Sequence, residues 1–265
     1  MHRINSEHGV TISFDKQGSG PPLVLVHGGF SDHRTNWEFV LPFFTRQFTT
    51  YAIARRGRGE TDETEGHSLE DEILDVTALI RAVGEPVFLL GHSYGAHVAL
   101  GAASVVPSRV RKLVLYEPPW PDIIGGDVPE PLTTHARAGD WDGFSFWFFQ
   151  NVLSVPLEEL QALRATELWA PIIADAKASL GDLRALSKYE FKCDRFVELR
   201  MPILLQIGTE SPRDLYITDR LSEVLADVRI ESLEGQAHEG MTTAPDPYAD
   251  AVISFLAGAM RGSHV

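Results

Sequence analysis

One short segment limits what this chain can fold into more than any other. The apolar run Val87–Leu90 leads directly into Gly91-His92-Ser93-Tyr94-Gly95. The run has the length and composition of a buried strand, and the small residues at 96–103 favour a helix. A strand that enters a helix through Gly-x-Ser-x-Gly holds its serine on a sharp turn, because the glycines lack a Cβ. The pattern therefore predicts Ser93 as an exposed nucleophile at the end of a sheet; the alternative is a structural turn whose serine caps the helix.

Strand and helix patterns alternate on both sides of a long middle segment. Apolar strand patterns occur at 10–14, 23–26, 49–54, 87–90, 113–116, 203–207 and 228–233, and helical patterns at 69–83, 214–226 and 248–260. This alternation predicts an α/β fold, a mostly parallel sheet with helices on both faces.

The alternation stops between Trp120 and Phe196, where the pattern is mainly helical and rich in large rings. We interpret 120–196 as a helical cap inserted into a core domain made of 1–119 and 197–265. Aromatic side chains commonly line apolar pockets, but large apolar residues also serve as core. We therefore expect four rings either to line a substrate pocket or to attach the cap to the core: Trp141, Phe144, Trp147 and Phe148.

A serine hydroxyl needs a neighbouring base, and His238 has the best position for that role. It lies in the loop 234–240 after the last predicted strand, at the sheet edge that carries Ser93. A carboxylate must then hold the imidazole, and in chain order it should lie between Ser93 and His238. Glu210, in the loop after the penultimate strand, is the first choice, and Glu117 and Asp214 are the alternatives.

Hydrolysis of an acyl group also needs N–H donors for the oxyanion. The N–H of Tyr94, directly after the nucleophile, is one candidate. The loop His27–Phe30 follows an early strand, and its two glycines allow the main chain to approach a substrate closely. We expect the second donor to be Gly29, with Phe30 as the alternative.

Composition excludes several classes of protein. The 265 residues carry a formal net charge of −14, which argues against a nucleic-acid partner. The basic residues at 55–58 are expected to be solvated loop residues. The polar residues 1–9 lack a signal-peptide pattern and no apolar run could span a membrane, so we expect a cytoplasmic protein without a membrane partner. The sequence indicates no metal or organic cofactor. The single cysteine, Cys193, cannot form an internal disulfide. The oligomeric state is left open.

With these motifs the chain resembles the α/β-hydrolase fold superfamily, and most of all its small bacterial esterases, cofactor-free haloperoxidases and C–C hydrolases. The matching segments are 27–29, 56–59, 91–95 and 235–238. The resemblance implies that the first loop supplies the oxyanion hole, Ser93 attacks and His238 is the base. Two positions depart from the family pattern: Ser211 stands where an acid is common, and Ala54 where a polar residue is frequent.

The residues and the resemblance together predict a serine hydrolase that acts on a small to medium carboxylic ester with an apolar portion. The same residues would serve C–C bond hydrolysis, lactone opening or perhydrolysis. A hypothesis of another class is a non-catalytic ligand-binding receptor with the hydrolase fold.

Overall fold

The computed structural model describes residues 1–6, 8–64 and 66–258. The strands are β1 (His2–Asn5), β2 (Thr11–Gly18), β3 (Pro22–Val26), β4 (Thr49–Ile53), β5 (Val87–His92), β6 (Val110–Tyr116), β7 (Ile203–Gly208) and β8 (Val228–Leu233). The α-helices are α1 (Leu41–Phe44), α2 (Leu69–Val83), α3 (Tyr94–Val105), α4 (Glu130–Ala138), α5 (Trp141–Asn151), α6 (Leu157–Arg164), α7 (Trp169–Ser187), α8 (Thr218–Val224), α9 (Gly240–Thr243) and α10 (Pro245–Ala257).

The eight strands form one sheet in the order β1-β2-β4-β3-β5-β6-β7-β8. β1–β2 and β2–β4 are antiparallel pairs, and β4, β3, β5, β6, β7 and β8 pair in parallel. The register sets His92 beside Tyr116, so the next residues along the two strands, Ser93 and Glu117, leave the sheet side by side. The predicted α/β architecture is confirmed.

Helices cover both faces of this sheet. On one face α2 and α3 pack against strand residues such as Val24, Leu89 and Leu115. On the other face α1 and α10 pack over Leu25, Leu90 and other strand residues. Parallel strands need this double cover because both faces of each central strand are apolar.

Local sequence signals determine where α2 begins and ends. Ser68 Oγ accepts the N–H of Asp71, and the Asp71 carboxylate accepts the N–H of Ser68, which satisfies two donors at the helix start. Gly84 ends the helix with φ of 84°, a conformation that glycine adopts without strain.

The segment between β6 and β7 is fully described; it contains α4, α5, α6 and α7, and no strand of the sheet. We call residues 120–196 the helical insertion. It has an apolar cluster of its own, which includes Leu132, Phe144, Leu160 and Trp169 and also takes in Phe30 from the loop after β3. The insertion therefore packs directly on the loop expected to supply an oxyanion donor. Its status as a separate cap domain stays a prediction.

The last predicted helix, 248–260, begins three residues earlier in the structure, at Pro245. Its expected end at Met260 lies outside the described residues. None of the helices in the described ranges has the length and apolar character needed to cross a membrane.

The end of α10 is fastened to β6 by a lysine. Lys112 is 4% exposed, and its Nζ donates to the carbonyl oxygens of Phe255, Leu256 and Gly258 at 2.7, 3.2 and 2.6 Å. A cation at a helix C-terminus stabilises the carbonyl groups that have no partner within the helix.

We expect Lys112→Met to lower the free energy of unfolding by about 1–3 kcal/mol, because three carbonyl oxygens lose a charged donor. Urea unfolding followed by circular dichroism measures the change. Arg111→Met is the control, since Arg111 is only half-buried and its ion pair with Glu85 spans 3.5 Å. Equal stability of Lys112→Met and the wild type would show that the lysine does not fasten the helix.

Candidate active site

Ser93 occupies a strained turn between β5 and α3. Its φ of 54° and ψ of −124° lie in a region that side-chain-bearing residues rarely adopt. The turn needs its glycines: a Cβ on Gly95 would lie 2.3 Å from the carbonyl oxygen of His27, and one on Gly91 would lie 2.5 Å from that of Gly95. The Ser93 hydroxyl makes no capping hydrogen bond to α3. The alternative interpretation, a serine that only caps the helix, is therefore wrong.

The hydroxyl faces a cavity between the sheet edge and the helical insertion. Ser93, His238, Gly29 and Tyr94 all line this cavity, so the structure brings these predicted residues together. The apolar part of the lining consists of Phe30, Pro119, Ile123, Phe148, Phe149, Leu153, Leu183 and Leu186. The polar part includes His92, Ser179, Asp182, Tyr216 and Glu239.

His238 is held by Glu117. Its Nδ1 lies 2.6 Å from Glu117 Oε2, and Glu117 is fully buried, with Oε1 accepting the N–H of Gly208 at 2.7 Å. The ring stacks on Tyr216 at 5.3 Å, with 18° between the planes. With Nδ1 engaged, Nε2 is the nitrogen left for proton exchange with a group in the cavity.

Two opposing effects act on the imidazole. Burial disfavours the charged ring, but the hydrogen bond and the charge of Glu117 outweigh burial and raise the pKa of His238 above its usual value. A base with a raised pKa accepts a proton more readily. No hydrogen bond joins Ser93 Oγ to His238 Nε2 within the described ranges; contacts of this kind often tighten when substrate binds.

The expectation that Glu210 orients His238 is wrong in this structure. Glu210 is exposed, and its carboxylate has one hydrogen-bond contact in the described chain, with Thr209 Oγ1 at 3.5 Å. The backbone explains this placement, since the N–H of Glu210 is bonded to the carbonyl oxygen of Gln236 and its side chain extends into solvent.

Asp214 does not reach His238 either. It is exposed, in a short 3₁₀ turn over Arg213–Leu215. Ser211, at the position where the resemblance led us to expect an acid, is buried but has no carboxylate. The alternative acid, Glu117, is therefore the one that the structure pairs with the histidine.

The structure also distinguishes between the candidate oxyanion donors. The N–H of Phe30 already donates to Ser179 Oγ at 2.7 Å, so Phe30 is not placed as expected for the alternative donor. The N–H of Gly29 has no acceptor among the described residues and lies at the cavity. Tyr94 begins α3, where backbone N–H groups lack partners within the helix.

Backbone strain is concentrated around the cavity. Four residues other than glycine have positive φ in the described ranges: Phe30, Ser93, Glu117 and Ser154. Phe30 lies in the loop His27–Phe30, which we call the oxyanion loop. Ser93 is the predicted nucleophile, and Glu117 is the acid paired with His238. Residues held in such conformations cluster at functional sites because the surrounding structure must hold them there.

A buried ion network holds both predicted donors. Arg55 Nε and Nη2 donate to the carbonyl oxygens of His27 and Gly28 at 3.0 and 2.8 Å, and Nη1 donates to Glu72 at 2.8 Å. The other Glu72 oxygen accepts the hydroxyl of Tyr94 at 2.9 Å. One arginine and one glutamate thus connect the loop of Gly29 to the residue after the nucleophile.

The helical insertion completes this network. Asp182 of α7 accepts from Arg55 at 2.7 Å and from Arg58 at 2.6 Å, and its pKa is held well below the usual value by the two guanidinium groups, although burial opposes them. Arg55 and Arg58 are 3% exposed, so the expectation of solvated loop arginines is wrong. Their acidic partners lie far away in the sequence, so inspection of the basic segment alone could not reveal them.

The predicted pocket rings have different roles in the structure. Phe148 lines the cavity, whereas Trp141, Phe144 and Trp147 do not. Phe144 is fully buried with its ring 5.8 Å from that of Phe30, and Trp141 packs edge-on against Phe144 at 5.6 Å. Phe144 and Phe148 thus pack the insertion on the loop His27–Phe30, and packing of this kind was the other use expected for the four rings.

Two groups of potential metal ligands occur in the described part of the chain. One is His92, His238 and Glu239, and the other is His67, Glu72 and Asp182. Both nitrogens of His92 are hydrogen-bonded, to Asn36 and to the carbonyl oxygen of His238, and Arg55 compensates the second group. Within the described ranges every member of these groups except the Glu239 carboxylate has a hydrogen-bond or ion-pair partner, and we assign no metal to either group.

Comparison with known proteins identifies the family. A family model described as "Alpha/beta hydrolase family" matches residues 23–251 of the sequence. The chain belongs to the alpha/beta hydrolase family. The expected resemblance is confirmed, and this protein is a hydrolase.

Individual relatives match different shares of this chain. The chain is 33% identical to a 2-(acetamidomethylene)succinate hydrolase from Mesorhizobium japonicum, over 93% of this chain and 92% of that protein. It is 36% identical to a pyrrolizixenacetamide deacetylase from Xenorhabdus hominickii, over only 39% of this chain and 40% of that protein. The crystal structure of an alpha/beta hydrolase from Sphaerobacter thermophilus superposes with a TM-score of 0.80 at 28% identity, covering 96% of this chain and all of that one.

We expect Glu117→Gln to lower kcat by about 10³-fold or more with a small change in KM, because the imidazolium loses its counter-charge. Only neutral His238 can accept a proton. Loss of the carboxylate lowers the pKa of His238, so the acidic limb of the pH–rate profile should move to lower pH.

Glu210→Gln is the matched control for this variant and should leave both the rate and the profile unchanged. Steady-state kinetics between pH 5 and 9 would test the pair. A large loss of rate in Glu210→Gln with none in Glu117→Gln would reverse the assignment.

Asp182→Asn should lower the free energy of unfolding by about 3 kcal/mol or more, because it leaves two buried guanidinium groups short of negative charge. Asp175→Asn is the control: it changes a carboxyl on the same helix whose pKa burial raises to about 6. Denaturant unfolding measures both variants, and equal stabilities would exclude a structural role for the ion network.

Proposed function

We propose that this protein is a serine hydrolase that cleaves a small to medium carboxylic ester through an acyl-enzyme intermediate. Ser93 is the nucleophile, His238 the general base and Glu117 the acid that orients His238. The observation that carries the proposal is the 2.6 Å contact between His238 Nδ1 and Glu117, at the same sheet edge as the strained turn of Ser93.

In the first half of the reaction, Ser93 Oγ attacks the ester carbonyl carbon while its proton passes to His238 Nε2. The negative charge that develops on the carbonyl oxygen is stabilised by the N–H groups of Gly29 and Tyr94. The tetrahedral intermediate collapses when the bond to the alkoxy oxygen breaks and His238 returns the proton to that oxygen. An alcohol leaves, and the acyl group stays on Ser93.

In the second half a water molecule replaces the alcohol. His238 takes a proton from the water as its oxygen attacks the acyl carbon, and the same two N–H groups stabilise the second tetrahedral intermediate. The bond to Ser93 Oγ then breaks, His238 returns the proton to the serine, and a carboxylic acid is released. Throughout, Glu117 keeps the imidazole in one tautomer and stabilises its charged form.

The lining of the cavity supports a substrate whose acyl portion is apolar. Three phenylalanine rings, Phe30, Phe148 and Phe149, and several aliphatic side chains leave few polar partners for that end of a substrate. Pockets of this kind bind by burial of apolar surface, and a few polar groups fix the orientation.

Hydrolysis of an N-acyl bond is a second candidate, favoured by the activities for which the Mesorhizobium and Xenorhabdus relatives are named. The same three side chains would serve it, with His238 giving its proton to the leaving nitrogen. The dicarboxylate named for the Mesorhizobium protein is a poor fit, because no lysine or arginine lines the cavity within the described residues. Lactone opening, C–C bond hydrolysis and perhydrolysis would use the same groups.

Ser93→Ala should abolish both hydrolysis of short-chain aryl esters, by about 10³-fold or more, and covalent labelling by phenylmethylsulfonyl fluoride. Mass spectrometry of the labelled peptide locates the adduct. Ser104→Ala, on the same helix with its hydroxyl bonded to the carbonyl oxygen of Gly101, is the control and should retain both. A wild-type protein that is neither labelled nor active on esters, amides and lactones would instead favour a ligand-binding receptor.

A further inference from the structure

Glu239 carries a carboxylate for which the proposed mechanism has no use. It directly follows His238 and lines the same cavity, and it is exposed, which places it at the opening. Its backbone carbonyl accepts from Thr242 and Thr243, but its carboxylate has no hydrogen-bond or ion-pair partner in the described ranges. A lone carboxylate at the mouth of a largely apolar cavity is free to interact with a ligand.

The charge of Glu239 is not balanced from within the cavity. The other acid in the lining, Asp182, is compensated by Arg55 and Arg58, which lie behind it. No lysine or arginine belongs to the lining in the part of the chain that the structure describes. The cavity therefore presents one uncompensated negative charge when Glu239 is ionised.

The position of Glu239 places this negative charge near the leaving-group end of the substrate. The oxyanion donors Gly29 and Tyr94 fix the carbonyl oxygen, whereas His238 must reach the leaving atom to protonate it. A carboxylate oxygen of Glu239 lies within 4.8 Å of a ring nitrogen of His238, so the carboxylate is on the side of the cavity where the leaving group must be. The apolar rings are left for the acyl portion.

We propose that Glu239 selects esters whose leaving alcohol carries a positive charge, such as an amino alcohol or a quaternary ammonium alcohol, and that it repels anionic leaving groups. This inference rests on the proposed ester hydrolysis and names its substrate class. Opposite charges attract across a few ångströms even where solvent partly screens them, and like charges repel to a similar extent.

The selectivity should depend on pH. The groups around Glu239 are His92, His238 and Glu117, with the hydroxyls of Tyr116, Tyr216 and Tyr248. Although the residue as a whole is exposed, its carboxyl lies within 4.8 Å of the buried His92 ring. This neighbouring protein disfavours the charged form and Glu117 adds repulsion, while His238 offsets part of the effect; together they raise the pKa of Glu239 to about 7. Its charge, and with it the preference for cations, should develop as the pH rises through neutrality.

Three acetate esters of one shape test the proposal: acetylcholine, its neutral isostere 3,3-dimethylbutyl acetate, and 4-acetoxy-2,2-dimethylbutanoate, which carries a carboxylate instead. The quantity measured is the ratio of kcat/KM for the cationic ester to that for the neutral ester, at pH 6 and pH 8. The ratio removes the titration of His238, which affects every ester equally. The variants are Glu239→Gln and, as control, Glu234→Gln, which removes an exposed charge from the same loop outside the cavity.

For the wild type we expect a ratio of about five or more at pH 8, a lower ratio at pH 6, and the anionic ester as the poorest substrate. Glu239→Gln should bring the ratio close to one at both pH values, whereas Glu234→Gln should behave as the wild type. A wild-type ratio near one, or a high ratio that survives in Glu239→Gln, would overturn the inference while leaving ester hydrolysis intact. If no ester is hydrolysed and Ser93 is not labelled, the proposed function itself fails and the inference with it.

Discussion

The hydrogen bond between Glu117 and His238 is the contact on which the rest of the site depends. It joins the end of β6 to the loop after β8, two segments 121 residues apart. It is possible because β6 lies between β5 and β7, which brings Glu117 beside the turn of Ser93 and above Gly208. The parallel sheet therefore does more than support the site, since its strand order decides which carboxylate can reach the histidine.

A second constraint comes from the helical insertion. Ser179 and Asp182, both on α7, contact the oxyanion loop through the N–H of Phe30 and through Arg55. Phe144 and Phe148 pack on the ring of Phe30 from the same side. The insertion thus covers the cavity and also fixes the loop that presents Gly29. A change within α7 should therefore affect the geometry around Ser93 as well as access to it.

Much of this arrangement could be predicted from the sequence, for identifiable reasons. The elbow, the strand before it and the alternation of elements are local patterns, so the fold and the positions of Ser93 and His238 followed from short segments. The choice of Glu210 failed because it relied on the usual place of an acid in the chain, whereas reach is decided by neighbouring strands. The ion partners of Arg55 and the position of the Glu239 carboxylate in the cavity depend on residues far apart in sequence, which no local pattern encodes.

Proton NMR of the hydrogen on His238 Nδ1 tests the central claim most directly. A short hydrogen bond from an imidazole to a buried carboxylate shifts that resonance far downfield of the amide region. The account predicts such a resonance in the wild type and in Glu210→Gln, and its loss in Glu117→Gln. Persistence of the downfield resonance in a folded Glu117→Gln variant would show that another group holds the histidine, and the assignment of the triad would be wrong.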